Sequence, residues 1–307
     1  MDKNNNKPTI VETNFFYLII ALLLITVGAW AQSKEVYSGL FITEYIIILL
    51  PILLYLKMRG YSIKNILRLN RISLKQIMYV IFIALFSYPV AVFFNYIGII
   101  IMSKFGEFMP SSVPIPTAPI EFLIGFFLIA LTPGICEETM FRGMIMNSYS
   151  SLGRKKAIVY SAILFGIFHF NVQNLLGPIF LGILFGILVY KTNSIFASII
   201  GHATNNSIAL CIGFFTNNME QTINVESAII PDIELIYSTI VIGVMALLFW
   251  LIVKRLIRSI PTNKQSKIEE PLFKQVNNEQ KMSGIEIVPI LVVVLIFIVY
   301  NYRYFFV

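Results

Sequence analysis

The chain has 307 residues, of which 57% are hydrophobic and only 13% charged, with a mean hydropathy of +0.80. A soluble domain carries about 25% charged residues, so this balance excludes an ordinary soluble protein and indicates an integral membrane protein. The net charge of +7 follows from topology, as shown below. No nucleotide-binding glycine loop is present, and nucleic acid is not an expected partner.

In chain order, residues 1–14 are polar and 15–31 are apolar without a small-residue cleavage site, so 15–31 reads as a first span rather than a signal peptide. Apolar runs continue at 39–56, 77–102, 119–147, 157–170, 175–190, 194–215, 234–253 and 286–302. The expected fold is all-α: a polytopic integral membrane helix bundle of about 8–9 transmembrane helices. Three regions are expected: N-terminal helices over 1–118, a helical core over 119–215 and C-terminal helices over 216–307. The spans at 157–170 and 175–190 are shorter than the ~20 residues a lone span needs and require neighbours around them. Gly182-x-x-x-Gly186 in the second of these is a close-approach signal between helices. Cys136 and Cys211 lie in apolar runs without metal-ligand spacing, and read as small buried hydrophobes.

Basic residues orient the spans. Segment 57–76 holds six Lys or Arg, and Arg154, Lys155, Lys156, Lys191, Lys254, Arg255 and Arg258 mark three further basic segments. If all four segments face the cytoplasm, loops 32–38, 103–118, 171–174 and 216–233 face outward, and the last carries Glu220, Glu226 and Asp232. The N-terminus is then cytoplasmic and the C-terminus outside. Ile63, Ile66, Leu67 and Leu74 among the basic residues of 57–76 predict an amphipathic helix on the anionic inner leaflet. Residues 259–285 predict a polar cytoplasmic linker. Frequent Asn, Lys and Ile are the composition of an AT-rich bacterial gene, which points to a bacterial cell membrane.

The chemistry concentrates in charged and polar groups at membrane depth. Residues 137–143, EETMFRG, place Glu137, Glu138 and Arg142 inside one apolar span. A charge at the bilayer centre costs at least ~2.5 kcal/mol on insertion scales, so such groups face the protein interior and find partners. Glu138 and Arg142 are four residues apart and predict an ion pair on one helix face. Glu137 is rotated by about 100° and needs a different partner. Pro133, just upstream, cannot donate a backbone hydrogen bond and predicts a loosened helix that admits water to Glu137.

The chain's two histidines, His169 and His202, both fall in spans, and Asn206 follows His202 by one helical turn. At about 1.5 Å per residue, Glu137, His169, His202 and Asn206 lie about 12–18 Å in from their cytoplasmic ends, near the middle of a ~30 Å hydrocarbon core. Three separate spans therefore bring polar groups to one level. A carboxylate and two imidazoles in a wet pocket activate water, with Glu137 as general base, His169 orienting the water, and His202 and Asn206 donating to an oxyanion. Glu137, His169 and His202 are also a ligand combination that zinc accepts, although the helical signature H-E-x-x-H is absent. Cofactor use stays open between a divalent metal such as Zn2+ and a metal-independent mechanism.

Glu137-Glu138-x-x-x-Arg142, Phe165-x-x-x-His169 and His202-x-x-x-Asn206 resemble, in order and spacing, the three motifs of the CAAX protease and bacteriocin-processing family, also called the Abi family. The resemblance covers roughly 119–215. It implies an intramembrane endopeptidase cutting a membrane-associated protein or peptide, with Glu137, His169, His202 and Asn206 catalytic and Glu138 and Arg142 supporting. Glutamate-dependent and metal-dependent mechanisms have both been described for the family, and its bacterial members are linked to bacteriocin maturation, self-immunity and peptide signalling. Two other readings stand beside it: a non-catalytic immunity or signalling membrane protein using the same fold, and a proton-coupled transporter. The last is weakened because no inverted repeat with paired broken helices is visible.

Overall fold

The structure is a computed structural model that describes residues 7–105, 114–220, 232–261 and 282–304. Nine helical rods are present among these residues: α1 (Ile10–Lys34), α2 (Val36–Met58), α3 (Leu74–Phe105), α4 (Pro119–Leu152), α5 (Arg154–Phe168), α6 (Leu176–Thr192), α7 (Phe196–Glu220), α8 (Asp232–Ser259) and α9 (Gly284–Tyr302). They coincide with the nine apolar runs, and the protein is an all-α, multi-pass membrane bundle. Most of the linker 259–285 and the acidic loop with Glu226 lie outside the described residues.

Six rods, α1 to α4, α8 and α9, are long and apolar enough to cross a membrane. The other three differ for physical reasons. α5 has 15 residues and α6 has 17, giving about 22 and 26 Å of rise, short of a ~30 Å core. α7 is long, but its sequence His202-Ala203-Thr204-Asn205-Asn206-Ser207 is polar. Each of the three is packed among neighbours rather than standing alone in lipid.

Close approach is set by small residues. A Cβ on Gly182 would lie 2.8 Å from the Ala162 Cα, and one on Gly186 would lie 3.1 Å from Ile158. The Gly182-x-x-x-Gly186 stripe of α6 is thus a seam against α5, which brings α5 over the charged part of α4. A Cβ on Gly134 would meet the Ile199 carbonyl at 3.1 Å and the Ala203 nitrogen at 3.3 Å, so α4 and α7 touch backbone to backbone.

The basic segments gather at one end of the bundle. Lys7 Nζ donates to the Asn147 carbonyl (3.3 Å) and Ser150 Oγ (2.7 Å), and Arg59 pairs with Glu12. Asn70 Nδ2 donates to the Asn193 carbonyl at 2.8 Å, and Gln76 Nε2 to the Pro261 carbonyl at 2.9 Å. Segment 57–76 is not the continuous amphipathic helix that its pattern predicts. It forms one four-residue helix, Ile63–Ile66, and then turns inward. Ile66 and Leu67 are buried in the main core, where Leu67 packs beside Gly143. Burying these two against α4 removes more apolar surface from water than resting them on headgroups would.

Helices outside the central core are fastened to it by buried polar groups. On α1, Tyr17 donates to the Leu164 carbonyl at 2.9 Å, and Asn14 accepts from the Tyr149 hydroxyl at 2.7 Å while donating to the Glu286 carbonyl at 2.7 Å. One amide thereby joins α1, α4 and α9. Gly182→Val forces the α5–α6 seam apart and is expected to lower stability by about 1–3 kcal/mol, read as thermal unfolding in detergent. Gly284→Ala, where a Cβ meets nothing within 4 Å, is expected to stay within about 0.5 kcal/mol of the original.

Candidate active site

The site begins with the backbone of α4. Between Gly125 and Met146 the rod is not a uniform α-helix. Phe126–Leu131 and Thr139–Ile145 are π-helical, and the α-helical turn Thr132–Glu138 lies between them. Pro133 accounts for the first widening. In an α-helix the Ile129 carbonyl takes its hydrogen bond from the N–H of residue 133, which proline lacks. Asn206 Nδ2 of α7 donates to that carbonyl at 3.1 Å. The loosened helix expected from Pro133 is present.

Glu138 and Arg142 form the expected ion pair, Nη1 to Oε1 at 2.8 Å, with both side chains fully buried. His202 Nδ1 reaches the same Glu138 oxygen at 2.9 Å. A carboxylate paired with arginine only accepts, so His202 donates through Nδ1. Aromatic faces complete the enclosure. The Arg142 guanidinium lies 4.3 Å from the Phe165 ring centroid and 5.6 Å from that of Phe185, a cation–π arrangement. Phe185 also stacks on the His202 ring at 5.6 Å.

Glu137 is held differently. Its nearest basic group is His202 Nε2, 3.9 Å from Oε2. That gap is too wide for a direct hydrogen bond. The Glu137 side chain is 13% exposed, against 0% for Glu138 and Arg142 and 6% for His202. It is the most accessible of the four.

His169 sits just past the end of α5, close to the span end where the sequence reading placed it, and it is exposed. Its backbone N–H turns to the Gly166 carbonyl (3.3 Å), and its ring Nδ1 caps the Phe165 carbonyl at 2.8 Å. A carbonyl only accepts, so the neutral ring carries its proton on Nδ1 and its lone pair on Nε2. The Phe165 ring packs edge-on against both imidazoles, 4.9 Å from His169 and 5.8 Å from His202. The structure thus brings Glu137, Glu138, Arg142 and His202 together around Phe165. It places His169 on the rim and turns Asn206 toward the backbone of α4.

The sequence's zinc combination of Glu137, His169 and His202 is not assembled. Among the described residues no three His, Cys, Asp or Glu side chains come together as metal ligands.

Five residues of the site escaped the sequence reading. Glu44 of α2 is buried, its Oε2 has no hydrogen-bond partner among the described residues, and its carboxyl lies within electrostatic reach of Glu137. The hydroxyls of Tyr45 and Thr132, 3.2 Å apart, hold α2 against α4 at that level. Asn205 is buried and donates to Asn206 Oδ1 at 3.2 Å. Phe185 lies under His202. Glu44 carried the same signal as Glu137, an acid in an apolar span, whereas a phenylalanine in an apolar run carries none.

Residues 119–208 match the family model described as type II CAAX prenyl endopeptidase, Rce1-like. The match contains all three motifs and agrees with the family read from them. No curated protein and no solved structure matches the chain.

Arg142→Met leaves the buried Glu138 carboxylate without its cation and is expected to cost about 3–5 kcal/mol of stability. Combining it with Glu138→Gln, which keeps an acceptor for His202, is expected to restore a large part of that loss. Thermal unfolding of the single and double variants in detergent measures the recovery; equal melting temperatures for both variants would contradict the pairing.

Proposed function

We propose that the chain is an intramembrane endopeptidase that hydrolyses a peptide bond in a membrane-associated protein or peptide, using water activated by Glu137. One observation carries this reading. Glu137 stands beside the Glu138–Arg142–His202 cluster with no hydrogen-bond partner for its Oε2 among the described residues, 3.9 Å from His202 Nε2. The matched family of prenyl endopeptidases supports the reaction class.

The steps balance without a cofactor. Glu137 takes a proton from the water, and the oxygen attacks the scissile carbonyl carbon. His169 Nε2, with its lone pair, accepts a hydrogen bond from the second water hydrogen and orients the attack. The oxyanion is stabilised by His202 Nε2–H and by the second amide hydrogen of Asn206, whose first serves Ile129. For Nε2 to donate while Nδ1 donates to Glu138, the His202 ring is an imidazolium in that state. The charges of Glu137, Glu138, Arg142 and His202 then sum to zero before attack, which suits a buried site. Glu137 passes its proton to the leaving nitrogen as the C–N bond breaks, and the remaining proton of the new carboxylic acid passes to the amine, giving a carboxylate and an ammonium group.

The same reading assigns the protein to a bacterial plasma membrane, with its basic end and N-terminus cytoplasmic. That assignment is supported by the gathering of basic segments at one end of the bundle.

Purified protein in detergent, offered a peptide library with and without a C-terminal farnesyl group, tests the reaction. Glu137→Gln is expected to lower turnover by about 10²–10⁴-fold, and His202→Ala by about 10²–10³-fold. Both variants should remain folded. Wild-type cleavage by folded Glu137→Gln would remove the proposed base. A wild-type protein that cleaves nothing while its cellular phenotype survives both substitutions would favour the non-catalytic reading.

A further inference from the structure

α9 lies outside the segment that matches the family model, yet one of its side chains reaches the backbone beside His169. Asn301 is buried at 3% exposure. Its Oδ1 accepts from the Val172 N–H at 2.9 Å, and its Nδ2 donates to the Phe170 carbonyl at 3.3 Å and to the Phe297 carbonyl at 2.7 Å. One amide therefore grips both sides of Asn171 and fixes the two residues flanking it to α9.

Phe170 explains why a grip is needed. Its φ is +47, the left-handed conformation that glycine ordinarily supplies just past a helix end. A phenylalanine there costs free energy and persists only where its surroundings hold it. Its ring is buried at 6% exposure in the core that also contains Val293 and Phe297 of α9, and it packs edge-on with Tyr300 at 6.2 Å. The side chain is anchored by α9 and the carbonyl by Asn301.

The left-handed residue determines what happens one position earlier. Because the chain turns at Phe170, α5 stops at Phe168, and the His169 N–H goes to the Gly166 carbonyl. The Phe165 carbonyl is then available for His169 Nδ1. That bond fixes the ring orientation and leaves the lone pair on Nε2.

We infer that Asn301 is a positioning residue for His169, acting through the left-handed turn at Phe170 so that the His169 ring caps Phe165 and presents Nε2. The part of this inference that concerns turnover rests on the endopeptidase reading; the part that concerns the His169 ring does not. α9 thus serves the site as a backbone clamp at the end of α5.

Asn301→Ala tests it, with Asn14→Ala as the control. Asn14 also ties α9 to the bundle, through the Glu286 carbonyl, but touches nothing near His169. Two readouts are taken on folded, full-length protein: kcat and KM for the library peptide cleaved fastest, and the rate at which diethyl pyrocarbonate modifies His169, followed by mass spectrometry. With only two histidines in the chain and His202 buried, the two modification sites are separable. Asn301→Ala is expected to lower kcat at least tenfold with KM within twofold, and to change the His169 modification rate at least threefold. Asn14→Ala is expected to change neither. An Asn301→Ala protein that matches Asn14→Ala in its His169 rate overturns the inference, as does undiminished kcat. If the wild type cleaves no peptide, the endopeptidase reading fails separately, and the His169 rate alone decides for or against the clamp.

Discussion

Burying Arg142 and Glu138 in a lipid-embedded helix costs several kcal/mol per ion in desolvation, and the helix tolerates them only while each remains paired. The direct bond of 2.8 Å between them meets part of that demand. Other helices add to it: His202 of α7 on the carboxylate, Phe165 of α5 and Phe185 of α6 on the guanidinium. Four helices are thus drawn to one point because a charge sits there. Gly134 and Gly182 follow from the same demand, since α7 and α6 must come within backbone distance to deliver those groups. Once Glu138 and Arg142 are locked, Glu137 is left next to them with a histidine nitrogen across a gap. The proposed base is the residue that the pairing scheme leaves over.

A second constraint runs through the site. Backbone carbonyls without donors also cost several kcal/mol each in lipid. Pro133 takes away the donor of Ile129, and Asn206 supplies one. The end of α5 exposes the Phe165 carbonyl, and His169 caps it. Two of the motif residues therefore have a backbone task before any chemistry. The tasks also orient them: the bond to Ile129 leaves Asn206 one amide hydrogen, and the bond to Phe165 fixes which nitrogen of His169 is free.

Much of this was legible in the sequence. All nine rods follow from apolar runs, because lipid demands a nearly continuous apolar surface and leaves few alternatives. The Glu138–Arg142 pair follows from four-residue spacing, and the loosened helix from Pro133. Depth along each helix also brought Glu137 and His202 together. What spacing could not give was rotation and helix ends. His169 looked embedded because the apolar run continues to Phe170, but the helix stops at Phe168 through a left-handed turn that a phenylalanine would not announce. Segment 57–76 has an amphipathic pattern, yet a tertiary partner on α4 takes up Ile66 and Leu67. Glu44 was legible by the same logic as Glu137. It was overlooked because it stands alone, without a neighbouring charge to draw the eye to its span.

The motif residues and those that hold them in place are distributed differently along the chain. The three motifs occupy α4, α5 and α7, whereas Tyr17 of α1, Tyr45 of α2 and Asn301 of α9 fasten those helices from outside. This division follows from short α5 and α6. A helix of about 22 Å cannot hold its own register in a ~30 Å core, so its position must be set by longer neighbours that do span the membrane. α1 grips α5 in its middle, through Leu164, and α9 grips the loop at its end, through Phe170 and Val172. The outer helices are therefore part of the geometry of the site, because without them nothing fixes the level at which His169 meets the cluster on α4.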